Sequence, residues 1–302
     1  MSRIAYVNGR YVAHGDALVH VEDRGYQFAD GVYEVCEVRD GRLIDERLHV
    51  ARLGRSLGEI GIRRPMSNAA LGIVLREVVR RNRVRDGIVY LQVTRGVAPR
   101  DHVFPGPDVA PSIVATARAM DRKRRDAVAE QGIRIKTLPD NRWQRVDIKT
   151  TGLLPNCLAR QAALEEGAGE AWFVDADGYV TEGAATNAWI VLDDGTIVTR
   201  PAETGILRGI TRTVAIALAK REGLRIVERP FTVEEAKGAR EAFITAAATL
   251  VMPVVQIDDR VIGNGRPGSV ATELRRNYHS QAEWSEGPRS GRGPLENISA
   301  HP

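Results

Sequence analysis

Two stretches of apolar alternation restrict the folds open to this chain. VYEVCEVRDGRLIDE (32–46) alternates, breaks at Asp40-Gly41 and resumes, which is the pattern of a β-hairpin. GIVYLQVTRGV (87–97) reads as a further strand. Between them the apolar spacing becomes helical. Leu48, Ala51, Leu53, Leu57 and Ile60 mark a helix over 47–60, and Leu71, Val74, Leu75, Val78 and Val79 mark one over 68–82. MSRIAYVNGRYV adds a strand, an Asn8-Gly9 turn and a second strand. A Pro-rich loop (98–111) leads to the strand SIVATA. Strands alternating with helices predict a layered α/β (α+β) protein.

A charged helix over 119–131 reads as a domain junction. Beyond it, strands are expected near 132–138, 145–149, 170–175, 187–192, 196–199, 225–229, 241–245 and 252–257. Helices are expected at 156–167, 209–222 and 268–279. The expected domains are 1–120 and 121–283, with a disordered polar tail over 284–302. A chain of 302 residues accommodates two such domains.

No apolar run approaches membrane-spanning length, and the N-terminus lacks the apolar core of a signal peptide. Cys36 and Cys157 suggest neither a disulfide framework nor a metal site. A cytoplasmic protein with reduced thiols is the expectation. The net charge of +4 comes mostly from dispersed arginines, with one short run, RKRR, at 122–125. That reads as a solvated helix face, not a nucleic-acid surface.

The arginines frame the chemistry. The chain has thirty-eight of them and only five lysines. One lysine, Lys149, stands in RVDIKTTGLLPN (145–156), just before a loop of small and apolar residues. Arginine could supply a surface charge there, but guanidinium stays protonated and cannot form a Schiff base. A nucleophilic amine must be lysine.

Other stretches are individually ambiguous. In GILRGITRTVAIALAKREG (205–223), Gly209 and Thr211 open a helix whose free N–H groups could hold a phosphate or could simply be capped. Glu182 in VTEGAATN (180–187) is either a surface turn residue or a carboxylate aimed at a cationic ring nitrogen. Arg100 and His102 in PRDH share a face in an extended segment and could grip a carboxylate; an exposed loop is the plain alternative. GNGRPG (263–268) matches G-x-G-x-x-G, but no strand bearing an acid follows, so it reads as a turn into a C-terminal helix. The sequon at Asn297 reads as chance.

Taken together, EDRGYQFADGVYEV (22–35), HVARL (49–53), QVTRGVAPRDHVFP (92–105), DIKTTGLLPN (147–156), VTEGAATN (180–187) and LRGITR (207–212) resemble the fold-type IV pyridoxal-phosphate enzymes. Within that group the blocks are most similar to the D-amino-acid aminotransferases. The resemblance covers residues 3–281 and implies a small N-terminal α/β domain and a larger C-terminal domain built on a sheet or pseudo-barrel.

It also implies the site. Lys149 would hold pyridoxal 5'-phosphate covalently and move the Cα proton. Glu182 would pair with the pyridine nitrogen. Arg52, Gly209, Ile210 and Thr211 would hold the phosphate, and Leu207 would lie beneath the ring. Ala247 stands in a segment where the family usually has hydroxyls; here it reads Ala246-Ala247-Ala248, which implies weaker cofactor retention. Tyr33, Arg100 and His102 would trap the substrate carboxylate, largely across a homodimer interface, with His49 near the pocket. The implied reaction passes the amino group of a D-amino acid such as D-alanine to a 2-oxo acid such as 2-oxoglutarate. L-branched-chain aminotransferases, (R)-amine transaminases and aminodeoxychorismate lyases share the fold and remain alternatives.

Overall fold

A computed structural model describes residues 3–203 and 205–286, which form a six-stranded and a nine-stranded sheet. The first sheet begins with the hairpin β1 (Ile4–Val7) and β2 (Arg10–Ala13). Asn8 and Gly9 both have positive φ, 43° and 93°, as a tight turn matching strand twist requires. A short helix, α1 (Arg24–Phe28), precedes β3 (Gly31–Arg39). β3 then turns at Asp40-Gly41 into β4 (Arg42–Leu43). Helices α2 (Glu46–Glu59) and α3 (Asn68–Arg81) follow, and β5 (Gly87–Thr94) and β6 (Ser112–Ala119) complete the sheet. Its order is β2-β1-β6-β5-β3-β4, antiparallel throughout.

The helical periodicity explains how this layer is held. α2 turns Val50, Leu53 and Leu57, and α3 turns Leu71, Leu75 and Val78, onto Val32, Cys36, Val89 and Leu91 of the sheet. Each such buried aliphatic side chain contributes roughly 1.5–3 kcal/mol. Ser67 caps α3 by accepting from the Ala70 N–H at 3.2 Å.

The second layer begins at α4 (Arg122–Gln131) and β7 (Ile133–Pro139). It continues through α5 (Leu154–Glu165), β8 (Glu170–Val174), β9 (Val180–Gly183), β10 (Asn187–Val191) and β11 (Ile197–Thr199). Then come α6 (Ile210–Arg221), β12 (Ile226–Glu228), α7 (Val233–Lys237), β13 (Glu241–Ala246), β14 (Leu250–Ile257), β15 (Arg260–Val261) and α8 (Ser269–Gln281). The order is β12-β11-β10-β13-β14-β7-β8-β9, with β15 beside β14. The pairs β11/β12, β14/β7 and β7/β8 are parallel.

Strands buried on both faces read as continuous apolar runs, and NAWIV (β10) is one. Ala188 and Ile190 join Trp172, Ile244 and Val254 on one face. Trp189 and Val191 join Phe243, Leu218 of α6 and Leu274 of α8 on the other. The sheet curls so that its end strand β9 returns beside β10, where the Gly183 N–H donates to Thr186 O at 2.7 Å.

Most expected elements lie where the spacing places them, and two expectations need correction. Residues 145–149 are a turn, not a strand. Val146 and Ile148 both line a pocket, Ile148 also packs into the first core, and no strand among the described residues pairs with them. The polar tail does not begin at 284. Trp284 bridges Ile44, and the Ser285 N–H donates to Leu43 O at 2.9 Å. Residues 287–302, including the Asn297 sequon, lie outside the described residues. GNGRPG is a turn into α8, with Gly263 and Gly265 at φ 54° and 75° and Gly268 as N-cap. Among the described residues no helix is long and apolar enough to cross a membrane, and no cluster suits a metal.

Candidate active site

A cavity of about 320 Å³ opens between the two sheets, within the range of small-molecule sites. Tyr33 and Val35 of β3 and His49 and Arg52 of α2 reach it from one side. Lys149, Glu182, Leu207, Gly209, Ile210, Thr211 and Ala247 reach it from the other. Thus the sequence-predicted residues converge, except Arg100 and His102. Those two are exposed and pack against Phe28: the Arg100 guanidinium lies 4.5 Å from the ring centre and the His102 ring 5.5 Å.

Lys149 is positioned by its backbone. Its carbonyl accepts from the Tyr33 N–H at 3.0 Å, and Thr150 bridges Val32, so the segment is stitched to the start of β3. The amine lies 4.2 Å from the centre of the Tyr33 ring and makes no hydrogen bond or ion pair among the described residues. It is a half-buried nitrogen held at the cavity and left uncommitted.

Glu182 stands one residue before the end of β9 and is buried. Oε1 accepts from Arg142 Nη1 at 2.6 Å, and Oε2 accepts from Asn187 Nδ2 at 3.1 Å and from the Leu207 N–H at 3.0 Å. Burial pushes this carboxyl above its usual range, against the pull of Arg142, the Leu207 N–H and Lys149. A carboxylate offers about four lone-pair positions. Three are used, leaving one on Oε1 for a further donor. Arg142 is fixed in turn by Asp140, whose Oδ1 and Oδ2 accept from Nε and Nη2 at 2.9 and 2.8 Å, and it stacks on Phe173.

One end of the cavity is built by α6. Its N-cap, Gly209, offers no side chain, and among the described residues no side chain caps the first N–H groups. Glycine is required there, since a Cβ would lie 2.0 Å from Asn187 Oδ1. Arg52 points a buried guanidinium at the same end. Its Nε and Nη2 donate to Glu34 at 2.8 Å each, and Nη1 donates to Arg208 O at 3.0 Å. Of five guanidinium N–H donors, two or so remain free. His49 Nδ1 meets Glu34 Oε2 at 2.8 Å.

Sequence reasoning missed Arg142, Asn187, Asp140 and Glu34. Arg142 is hidden among thirty-eight arginines, and Asn187 comes into play through the short turn between β9 and β10, which brings its Nδ2 to 3.1 Å from Glu182 Oε2. Glu34 left one usable signal: a glutamate on the same face of β3 as Val32 and Cys36 has to be paid for by a buried cation.

A free amine, a buried carboxylate with one position to spare and an uncapped helix N-terminus facing an arginine suit a phosphorylated, nitrogen-bearing aldehyde. The layered α/β fold and this pocket together define an enzyme of amine–carbonyl exchange. The chain belongs to the amino-transferase class IV family, whose model matches residues 31–257. It is a pyridoxal-phosphate-dependent aminotransferase of fold type IV.

The chain is 40% identical over 278 residues to a D-alanine aminotransferase of Staphylococcus haemolyticus, covering 92% of this chain and 97% of that protein. It is 40% identical over 268 residues to a D-alanine aminotransferase of Bacillus licheniformis, covering 89% and 93%. Among solved structures, a branched-chain amino acid aminotransferase of Escherichia coli superposes with a TM-score of 0.84 at 26% identity, covering 93% of this chain and 94% of that one.

Proposed function

We propose that this enzyme transfers the amino group of a D-amino acid, with D-alanine as the prototype, to a 2-oxo acid such as 2-oxoglutarate. The observation that carries the reading is the convergence of Lys149, Glu182 and the α6 N-terminus on one cavity. The D-alanine relatives, at 40% identity over about nine-tenths of the chain, support the substrate class. The branched-chain structure shares the fold at lower identity, which favours the D-amino-acid reading over the L-branched-chain one.

When bound, pyridoxal 5'-phosphate supplies a carbonyl for the amine and a ring that accepts the electron pair released at Cα. This chain's residues do the rest. Lys149 Nζ would anchor the cofactor and then carry the proton to and from Cα. Glu182, held in line by Arg142 and Asn187, would accept from the ring nitrogen at its spare position and favour the protonated form. The N–H groups of Ile210 and Thr211, together with the Arg52 guanidinium, would hold the phosphate. Tyr33 flanks the Lys149 amine, and Leu207 would lie against the ring.

Arg100 and His102 bind the substrate carboxylate in the pocket of a partner subunit. Their distance from this chain's own cavity supports that arrangement. So does the exposed apolar surface beside them, where Leu18, Val21, Tyr26, Val103 and Phe104 are each more than half exposed. The functional unit is a cytoplasmic homodimer with shared sites, and each chain divides into domains 1–120 and 121–283.

The test is turnover of D-alanine with 2-oxoglutarate, read as pyruvate. Pyruvate from D-alanine, with little turnover of L-leucine or (R)-1-phenylethylamine, is expected. Turnover confined to L-leucine or to the amine overturns the substrate assignment.

A further inference from the structure

The turn between β13 and β14 presents an unusual surface to the cavity. Ala246, Ala247 and Ala248 line it, and none has a polar side chain. Thr245 Oγ1 is engaged by Trp189 Nε1 at 2.9 Å, and Thr249 Oγ1 is buried without a partner. The turn is closed by the Thr249 N–H donating to Ala246 O at 3.2 Å, and Leu250 follows in a left-handed conformation, φ 58°. The N–H groups of Ala247 and Ala248 have no acceptor among the described residues. Two successive free backbone donors at a pocket wall form a nest suited to an anion.

The carbonyls of this turn are gripped from outside the cavity. Arg125 Nη1 donates to Ala248 O at 3.0 Å. Arg275 Nη1 donates to Thr249 O at 2.7 Å and to Val251 O at 2.9 Å, while its Nη2 is paired with Asp126 at 2.8 Å. Arg125 has no carboxylate partner among the described residues, and its Nε is buried without an acceptor. One guanidinium is therefore balanced, and the other leaves a net positive charge behind the turn.

We propose that Arg125 and Arg275 are positioning residues that hold the Ala246–Thr249 turn as a backbone cradle for the cofactor phosphate, in place of side-chain hydroxyls. Arg275 fixes the turn. Arg125 fixes it and adds an uncompensated charge on the far side of the Ala248 peptide. The proposal rests on the cofactor reading above and concerns only how the phosphate is held.

The experiment compares the affinity of the enzyme for pyridoxal 5'-phosphate with that for pyridoxal, which lacks the phosphate, by quenching of tryptophan fluorescence. Arg125→Ala is expected to weaken pyridoxal 5'-phosphate about tenfold and pyridoxal by less than about twofold, with the phosphate effect shrinking at high salt. Arg125→Lys should recover most of the loss, and adding Ala247→Ser to Arg125→Ala should recover part of it. Where the alanine variant does not fold, Arg125→Gln keeps a donor without the charge, and a loss confined to the phosphorylated ligand is again expected. Unchanged affinity in these variants, or equal loss for both ligands, overturns the proposal. Failure of the unmutated enzyme to bind pyridoxal 5'-phosphate at Lys149 would overturn the cofactor reading itself, a result distinct from either.

Discussion

Glu34 accepts two hydrogen bonds from Arg52, from Nε and from Nη2, each 2.8 Å long. The pair joins β3 to α2, and His49 completes it from one turn away on the same helix face. Burial pushes the Glu34 carboxyl up, but the charge and hydrogen bonds of Arg52 outweigh that and hold it at about 2, against an ordinary value of 4.5. The folded state therefore binds this proton more weakly than the unfolded chain. The pair's contribution is fully present above about pH 4.5 and is lost as pH falls through about 2. Glu34→Gln is expected to cost about 3 kcal/mol by stranding a buried guanidinium. It should also flatten the acid limb of stability against pH. Denaturant unfolding across that range checks both, and an unchanged acid limb would count against the pair.

Arg142 predicts a pH shift in catalysis. It lowers the Glu182 carboxyl that burial raises. Arg142→Met should let the carboxyl rise further, so less of it is ionised at a given pH. The acid limb of kcat/KM should move to higher pH, with Arg142→Lys in between. A profile that merely drops in height, without moving, would show that Arg142 does not act through Glu182.

Arg100 predicts complementation. Lys149→Ala lacks the amine, and Arg100→Ala should raise the KM for amino acids far more than it alters cofactor binding. If Arg100 serves the partner's pocket, mixing the two variants creates heterodimers with one intact site. At random pairing about a quarter of the native sites return. Activity at low substrate, measured after subunit exchange, reads this directly. No recovery, or a monomer by sedimentation, contradicts the shared site.

How much of this was legible depends on where each signal lay along the chain. Lys149 stood out because the chain uses arginine almost everywhere else. The uncapped N-terminus of α6 showed in Gly209 and Thr211 ahead of an apolar-periodic helix. The β-hairpins and the α2 and α3 faces followed from period two and period 3.6. Residues 145–149 misled because alternation can arise in a turn whose apolar residues line a pocket. Arg142 and Arg275 left no local pattern, and Arg125 stood in the RKRR run that reads as a solvated face. Their contacts, with Glu182, Thr249 and Ala248 in turn, join segments distant in sequence, which spacing does not encode.

The central claim is that Lys149 is the residue that anchors the cofactor. The direct measurement is borohydride reduction of the enzyme reconstituted with pyridoxal 5'-phosphate, followed by digestion and mass analysis of the labelled peptide. A phosphopyridoxyl group on the peptide containing Lys149, absent when D-alanine is added before reduction, is the predicted result. Label on Lys123, Lys136, Lys220 or Lys237, or no stable label at all, would contradict it.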